Sequence, residues 1–405
     1  GFDGYSGGGR TQKDRPADFK RFHFNFQQEL CYLCKRTHVA VHVLTELHST
    51  RCIKCWSRCI PTSTFSCCCL PIKLHANRHS QIKQESTTTL SAMVNWVQML
   101  RTHFVARLAK NAGLRQHAVA VDDDGTTVNL WLPKKKQTGA ATTAGGNQRH
   151  AVVLVHGFAG DGMMTWGFQV GALAARGHDV YVPDLVHFGG STSPAPHRSV
   201  AFQAHCLATA LGKLGLAGQR CTVVGFSYGG LVAFEMAAAF PGLVRSVVVS
   251  GADVAYTAAM NDVLLQRLGA GSMTDLMLPE TVGGVERLFS TAFYKKPFLP
   301  RRLLSDFLKV MCDNRKERSE MLENMITSKD KEAPAPVFQQ AILLLWGEND
   351  NYFIIEDAER LKRELGEKAM LRTISKAGHL AHLERPCVYN RYLKEFLAHV
   401  DRLPS

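Results

Sequence analysis

A serine between glycines is the residue of this sequence whose surroundings most favour chemistry. Ser227 lies in the segment GFSYGG at 225–230, at the end of the apolar run CTVVG and before the helical pattern LVAFEMAAAF. A strand, a sharp turn and a helix in this order lift a serine hydroxyl out of a sheet and place it at a helix N-terminus, where the dipole favours negative charge. The pattern predicts a nucleophile; the alternative is a serine that caps an ordinary helix.

A serine nucleophile requires a base, so a histidine oriented by a carboxylate is expected later in the chain. His379 follows the apolar run MLRTIS, and Asp350 follows the apolar run AILLLW. The alternative base is His382, which begins the next segment instead of lying at the turn after the strand. Asp253 and Glu348 are alternative acids. We predict His379 and Asp350, because the strand before Asp350 is expected to lie nearest the histidine loop.

Acyl transfer also requires hydrogen-bond donors for the oxyanion, each of which lowers the barrier by roughly 2.7 to 4 kcal/mol. The apolar run AVVLV is followed by HGFAG at 156–160, whose small residues let the chain approach a substrate. We predict the backbone amides of Phe158 and Tyr228 as the donors. His156 is interpreted as a residue that holds this loop, and Asp184 as a turn residue.

The elements that must position these residues alternate along the chain. Predicted strands lie at 117–121, 126–132, 151–155, 178–182, 221–225, 245–250, 341–346 and 370–375. Predicted helices lie at about 164–176, 200–214, 228–240, 356–365 and 387–399. Several strands are continuous apolar runs, which indicates a mostly parallel α/β sheet covered by helices on both faces. The turn signal at 123–125 predicts an antiparallel hairpin at one edge.

The pattern divides the chain into a core at 115–251, a helical cap at 252–335 and a second part of the core at 336–405. The cap is predicted because 252–335 is too long for a structureless connection and shows helical spacing. An exposed loop without periodicity is expected at 133–150. Apolar cap residues are expected to line an acyl pocket or to form the cap core; these are Leu276, Met277, Phe289, Phe293 and Phe298.

The first 92 residues differ from the rest of the chain. They contain eight of the 12 cysteines, no methionine and little periodicity. Two CxxC pairs, at 31–34 and 52–55, have a spacing that suits a zinc site, but the other four cysteines fit no zinc pattern. We interpret the segment as a disordered or non-native extension, with the functional protein beginning near Met93, and assign no metal ligand.

An amphipathic helix is predicted at 93–114. Four apolar residues recur at helical spacing there, namely Val97, Leu100, Phe104 and Leu108. The favoured interpretation is a terminal helix packed on the domain. The alternative is a helix at 93–112 in peripheral contact with an anionic membrane.

The whole-chain composition excludes several classes of protein. With 45% hydrophobic and 20% charged residues among 405, the chain is globular, and no apolar stretch is long enough for a membrane span. The net charge of +13 is not organised into a basic stripe with stacking aromatics, so no nucleic-acid partner is predicted. The four cysteines after Met93 are scattered singly, which is typical of buried, reduced thiols in an intracellular protein.

Five segments in this order, HGF, DLVHFGGS, GFSYGG, WGEND and GHLAHLERP, resemble the α/β-hydrolase superfamily over about residues 115–400. The chain is most similar to serine hydrolases of the monoacylglycerol-lipase-like and meta-cleavage-product-hydrolase-like branch, particularly plant members. The resemblance implies an eight-stranded sheet, a helical cap after the sixth strand and no cofactor. Epoxide hydrolases and haloalkane dehalogenases of similar layout have aspartate at the position of Ser227, which argues against their chemistries.

The sequence therefore predicts a serine hydrolase that cleaves carboxylic esters of apolar acyl groups through an acyl-enzyme. One alternative is hydrolysis of a carbon–carbon bond beside a ketone. Another is a ligand receptor on a hydrolase scaffold, in which the triad is kept but turnover is negligible. The expected partner is a small-molecule acyl or ester substrate.

Overall fold

Ten strands are present in the computed structural model, which describes residues 95–134, 149–327 and 336–403. In chain order they are β1 (Leu114–Ala120), β2 (Thr127–Pro133), β3 (Ala151–Val155), β4 (Asp179–Pro183), β5 (Cys221–Phe226), β6 (Val244–Ser250), β7 (Tyr256–Thr257), β8 (Ile326–Thr327), β9 (Ala341–Gly347) and β10 (Ala369–Ile374). Eight of them form the main sheet, and β7 and β8 form a separate pair.

The main sheet has the strand order β1-β2-β4-β3-β5-β6-β9-β10. Its neighbouring strands from β4 to β10 are parallel, whereas β2 is antiparallel to both β1 and β4. The predicted sheet, mostly parallel with an antiparallel hairpin at one edge, is confirmed. Strands β3 and β5 are buried along their whole length, as apolar strands covered on both faces must be.

Helices cover both faces of the sheet. In chain order they are α1 (Trp96–Leu100), α2 (Ala106–Asn111), α3 (Gly162–Ala174), α4 (Val200–Lys213), α5 (Tyr228–Ala239), α6 (Ala258–Leu268), α7 (Met273–Met277), α8 (Val282–Ala292), α9 (Arg301–Met311), α10 (Arg315–Met325), α11 (Ile355–Leu365), α12 (Ala381–Glu384) and α13 (Pro386–Val400). A π-helical turn, Arg101–Val105, joins α1 to α2. Helices α4, α5 and α11 pack on one face, and α3 and α13 pack on the other.

The insertion after β6 is helical, and it forms the cap over the sheet. It contains α6 to α10, and the short strands β7 and β8 pair in parallel, with Tyr256 opposite Ile326. The two ends of the helical part therefore lie side by side. A cap after the sixth strand agrees with what the resemblance implies, while the predicted limits of the domains stay predictions.

Helix α1 and the π-helical turn that follows it are packed against the cap and the core. The Asp306 carboxylate in α9 accepts a hydrogen bond from the Trp96 backbone amide at 2.9 Å. The backbone carbonyl of Asp306 accepts one from the Asn95 side-chain amide at 3.2 Å. On the core side, Arg101 forms an ion pair with Asp161 at 2.7 Å. This arrangement agrees with the favoured interpretation of a helix packed on the domain.

Several predictions fall outside the described residues. They are the extension at 1–92 with its CxxC pairs and most of the loop at 133–150. Within the described ranges, no helix is both long and apolar enough to cross a membrane.

Candidate active site

Ser227 lies at the sharp turn between β5 and α5. Its backbone has φ 53° and ψ −123°, a conformation that L-residues rarely adopt. The Ser227 amide donates to the carbonyl of Ser250 at 2.8 Å, which joins the turn to the end of β6. Gly229 lies so close to the backbone carbonyls of Val155 and His156 that a Cβ atom there would overlap them. The turn therefore requires glycine at this position, and its geometry is the strained one typical of a nucleophile.

The structure brings His379 and Asp350 together. His379 Nδ1 lies 2.8 Å from Asp350 Oδ2, and both side chains are buried. The other carboxylate oxygen, Asp350 Oδ1, accepts hydrogen bonds from the amides of Tyr352 at 2.8 Å and Phe353 at 3.0 Å. The carboxylate is thus fixed by backbone donors on one side and orients the imidazole with the other.

Aromatic rings enclose the imidazole of His379. Its ring centroid lies 4.7 Å from that of Phe226 and 4.8 Å from that of Tyr352, and the Phe353 ring stacks on it at 6.2 Å. Gly251, at φ 59°, approaches so closely that a Cβ atom would be 2.7 Å from the imidazole. The ring is held in one orientation by packing as well as by its carboxylate partner.

The alternative acids have other partners. Asp253 forms an ion pair with Arg360 of α11, and Glu348 accepts a hydrogen bond from the Thr373 hydroxyl at 3.0 Å. Asp350 is therefore the acid that contacts His379.

The alternative base, His382, is fully buried among aromatic rings. Its centroid lies 4.4 Å from Phe226 and 5.1 Å from Trp166, and neither of its ring nitrogens has a hydrogen-bond partner among the described residues. Burial, and then the neighbouring His379, lower the pKa of His382 to about 3. An imidazole with so low a pKa is a weak base, and without a carboxylate partner it is poorly suited to serve as the base of a triad.

The loop after β3 is held by His156. Its Nε2 accepts a hydrogen bond from the Leu185 amide at 2.9 Å, so Nδ1 carries the proton and donates to the Gly157 carbonyl at 2.7 Å. Burial lowers the pKa of His156 to about 4, which keeps the ring neutral in this role. The contacts agree with the interpretation of His156 as a residue that holds the loop.

Phe158 and Tyr228 lie close together beside Ser227. Their rings meet edge to face with centroids 6.0 Å apart, and Tyr228 is the first residue of α5. Among the described residues, neither backbone amide donates to a carbonyl oxygen. Both amides are therefore without a backbone acceptor among the described residues, as oxyanion donors must be.

Asp184 is a buried structural carboxylate. It accepts hydrogen bonds from the Asn129 side chain at 2.7 Å and from the amides of Gly162 at 3.0 Å and Gly190 at 3.1 Å. Burial raises its pKa to about 6. Asp184 thus connects strand β2, the start of α3 and the loop at Gly190, and it lies outside the lining of the cavity described next.

An apolar cavity of about 290 Å³ opens at Ser227 and His379. The core contributes Gly157, Phe158, Phe226 and His382 to its lining, and the cap contributes Met277, Phe289, Phe293 and Phe307 among others. Of the apolar cap residues chosen from the sequence, Met277, Phe289 and Phe293 line it. Leu276 is in the cap core and Phe298 is exposed to solvent.

One wall of the cavity was not predicted from the sequence. Val97 and Leu100 of α1 line it, although the helix precedes the first strand. Their helical spacing was visible in the sequence, but nothing local indicated which surface they cover.

In the described ranges, no group of three or more His, Cys, Asp and Glu side chains is arranged to hold a metal ion. Of the four cysteines after Met93, Cys206, Cys221 and Cys312 are buried as expected, whereas Cys387 is exposed.

Comparison with known families identifies the class of protein. The family described as alpha/beta hydrolase fold matches residues 150–386, more than half of the chain. The chain therefore belongs to the α/β-hydrolase family, as its motifs predict.

One sequence relative and two solved structures show which proteins this chain is similar to. Lipase 3 of Moraxella sp. (strain TA144) is 25% identical over 239 residues, which are 58% of this chain and 72% of the lipase. The crystal structure of a membrane phospholipase A, a bacterial virulence factor, has a TM-score of 0.62 at 22% identity and covers 78% of this chain and 97% of that one. The 2-hydroxy-6-oxo-6-phenylhexa-2,4-dienoate hydrolase of Rhodococcus sp. strain RHA1 has a TM-score of 0.55 at 20% identity and covers 70% and 99%. The solved structures show a shared fold, and the proteins to which this chain is similar include lipases and meta-cleavage-product hydrolases.

Proposed function

We propose that this protein is a serine esterase that cleaves uncharged, apolar acyl esters. The observation that carries the proposal is the junction of two features. Ser227 and the Asp350-oriented His379 border one cavity, and most of the other residues that line it are apolar. A polar reactive end joined to an apolar chamber suits an acyl group whose carbonyl lies at the serine and whose chain lies in the chamber.

The reaction follows from the roles of these groups. The Ser227 hydroxyl attacks the ester carbonyl while His379 Nε2 takes its proton, and Asp350 stabilises the imidazolium through Nδ1. The amides of Phe158 and Tyr228 donate to the oxyanion of the tetrahedral intermediate. His379 returns the proton to the leaving alcohol. Water then attacks the acyl-enzyme carbonyl while His379 takes a proton from it, and His379 returns that proton to the Ser227 oxygen as the carboxylic acid leaves.

The lining of the cavity favours esters over the carbon–carbon alternative. The Rhodococcus hydrolase is named for a dienoate, and a substrate of that kind carries a carboxylate. Among the described residues, no Lys, Arg, Asp or Glu side chain lines the cavity of this chain. Burying a carboxylate without a cation or several donors is costly, so a neutral acyl chain fits this chamber better.

Covalent labelling and turnover test the proposal. We expect a fluorophosphonate probe to label the wild-type chain, and the label to be absent from Ser227→Ala with unchanged circular dichroism. Sustained turnover of p-nitrophenyl acyl esters supports an esterase, whereas a single burst of product supports a receptor on a hydrolase scaffold. Equal labelling of both forms, or faster cleavage of a meta-cleavage dienoate than of any ester, contradicts the proposal.

A further inference from the structure

The mouth of the cavity exposes apolar side chains to solvent. Leu100 lines the cavity and is nevertheless 38% exposed. Phe298 is 73% exposed and stands between Pro297 and Leu299, which both line the cavity. Tyr294 is 38% exposed. Large apolar side chains grouped at the entrance of a pocket mark an interaction surface more often than isolated ones do.

Two segments carry these side chains, and together we call them the rim: residues 95–111 and residues 293–302. Across the rim there are seven Lys and Arg residues and no Asp or Glu; they are Arg101, Arg107, Lys110, Lys295, Lys296, Arg301 and Arg302. Among them, Arg101, Lys296 and Arg302 form ion pairs with Asp161, Glu286 and Asp306, which lie outside the rim. Set against these three acids and Glu384, which accepts a hydrogen bond from the Tyr294 amide, the rim still carries a net positive charge.

The two rim segments belong to one surface. The Trp96 amide bonds to Asp306 at 2.9 Å, which ties the first segment to the helix that the second one enters. Both segments also contribute to the lining of the same cavity, through Leu100 on one side and Pro297 on the other. The apolar entrance and the positive charge around it are therefore continuous.

We propose that the rim binds the surface of an anionic lipid bilayer. Phe298 and Leu100 insert among the acyl chains, and the lysines and arginines contact the anionic headgroups. Exposed aromatic and aliphatic side chains ringed by cations are the chemistry that binds such a surface. The entrance of the cavity then opens on the bilayer, so that an acyl chain passes from lipid to Ser227 without crossing water; this last step rests on the proposed esterase function, whereas the binding does not.

Vesicle sedimentation with the full Ser227→Ala chain tests the binding without turnover. We expect it to sediment with vesicles of phosphatidylcholine plus phosphatidylserine and much less with phosphatidylcholine alone, and to be released by salt. Phe298→Ser is expected to weaken binding about tenfold. Lys295→Gln with Lys296→Gln is expected to weaken it on the order of 25-fold, at about fivefold for each lysine.

Matched variants away from the rim serve as controls. Val263 is 58% exposed on α6, which contributes no residue to the cavity lining, so Val263→Ser removes a similar exposed apolar group. Arg363→Gln with Arg372→Gln removes the same charge from α11 and β10. Both controls are expected to bind vesicles as the parent does, and thermal unfolding verifies that all variants are folded.

Three results would overturn the proposal. The first is that the chain does not sediment with anionic vesicles, and the second is an equal loss of vesicle binding in the rim and control variants. The third is a dimer that Phe298→Ser abolishes while no vesicle binding is seen, which would assign the rim to a second copy of the chain. Vesicle binding together with an absence of ester turnover would refute the proposed function alone. Turnover in solution without vesicle binding would refute the rim alone.

Discussion

The two sides of the cavity are built in different ways. On the sheet side, the candidate reactive residues follow β5, β9 and β10. Backbone hydrogen bonds hold the Ser227 turn and the Asp350 carboxylate, and that carboxylate orients His379. On the opposite side, α1 and the cap helices present Val97, Leu100, Phe289 and other apolar groups. Under the proposed function, the contrast means that backbone geometry would fix the reacting groups, while side-chain volume on the helices would select the acyl group.

The largest effect is expected from the nucleophile on the sheet side. Ser227→Ala is predicted to lower kcat for p-nitrophenyl esters by about a millionfold, because the triad acts as a unit. The residual rate is measured on protein purified separately from the wild type. A loss of less than a hundredfold would show that another residue attacks the substrate.

The acid of the triad is expected to have the next largest effect. Asp350→Asn is predicted to lower kcat by about 10⁴-fold, because an amide leaves the imidazole in the wrong tautomer. Asp253→Asn is the matched control, since Asp253 is paired with Arg360 and is expected to change stability rather than kcat. If Asp253→Asn has the larger effect on kcat, the assignment of the acid is wrong.

Buried histidines on the sheet side predict a pH dependence of stability. The pKa is lowered from the ordinary value of 6.5 to about 3 for His382 and to about 4 for His156. Below pH 6.5, the unfolded chain therefore binds more protons than the folded chain does. The free energy of unfolding therefore falls as pH drops from 6.5 toward 4, by at most about 1.4 kcal/mol per pH unit for each histidine. Asp184, with its pKa raised to about 6, opposes part of this fall, because the folded state binds its proton first.

His382→Phe separates these contributions. Denaturant unfolding is measured between about pH 4 and 7, where these groups titrate. The free energy of unfolding is expected to fall less steeply with decreasing pH in this variant. At neutral pH the variant should be as stable as the wild type or more so, because it removes two unsatisfied buried nitrogens. An unchanged slope would mean that His382 does not contribute to acid sensitivity.

The smallest effect is expected on the helical side of the cavity. Leu100→Trp is predicted to lower kcat/KM for long acyl esters by about tenfold and to leave short esters nearly unchanged, because it narrows the cavity at its mouth, where only a long acyl chain would reach. Gln98→Trp on the same helix is the control, since Gln98 is exposed and does not line the cavity. Equal effects on long and short esters would show that α1 does not select the acyl chain.

The sheet side was also the more predictable one from sequence. The five crossover helices lie within two residues of their predicted bounds, and the run AVVLV is strand β3 without adjustment. Such elements have local signals, namely continuous apolar runs and helical spacing. The reactive residues follow strand ends, so the strand pattern and the glycine turn were enough to select Ser227, His379 and Asp350 as candidates.

The helical side depends on contacts between residues far apart in the chain. Asp306 bonds to Trp96 across 210 positions, and neither residue has a local pattern that indicates the pairing. The two-residue strands β7 and β8 are too short to produce any periodic signal. Tyr352 and Phe353 enclose His379 only because a buried carboxylate turns the chain after β9, which the sequence alone did not reveal.

The pairing of β7 with β8 has a consequence for how such a protein changes over evolutionary time. Tyr256 and Ile326 hold the beginning and the end of five helices at adjacent positions. Because closing a longer loop costs only slightly more entropy, helices can be added, shortened or exchanged between these points at small cost to the register of the strands outside them. One contiguous stretch of coding sequence could thus be replaced to admit a new acyl group, while the hydrolytic residues keep their places.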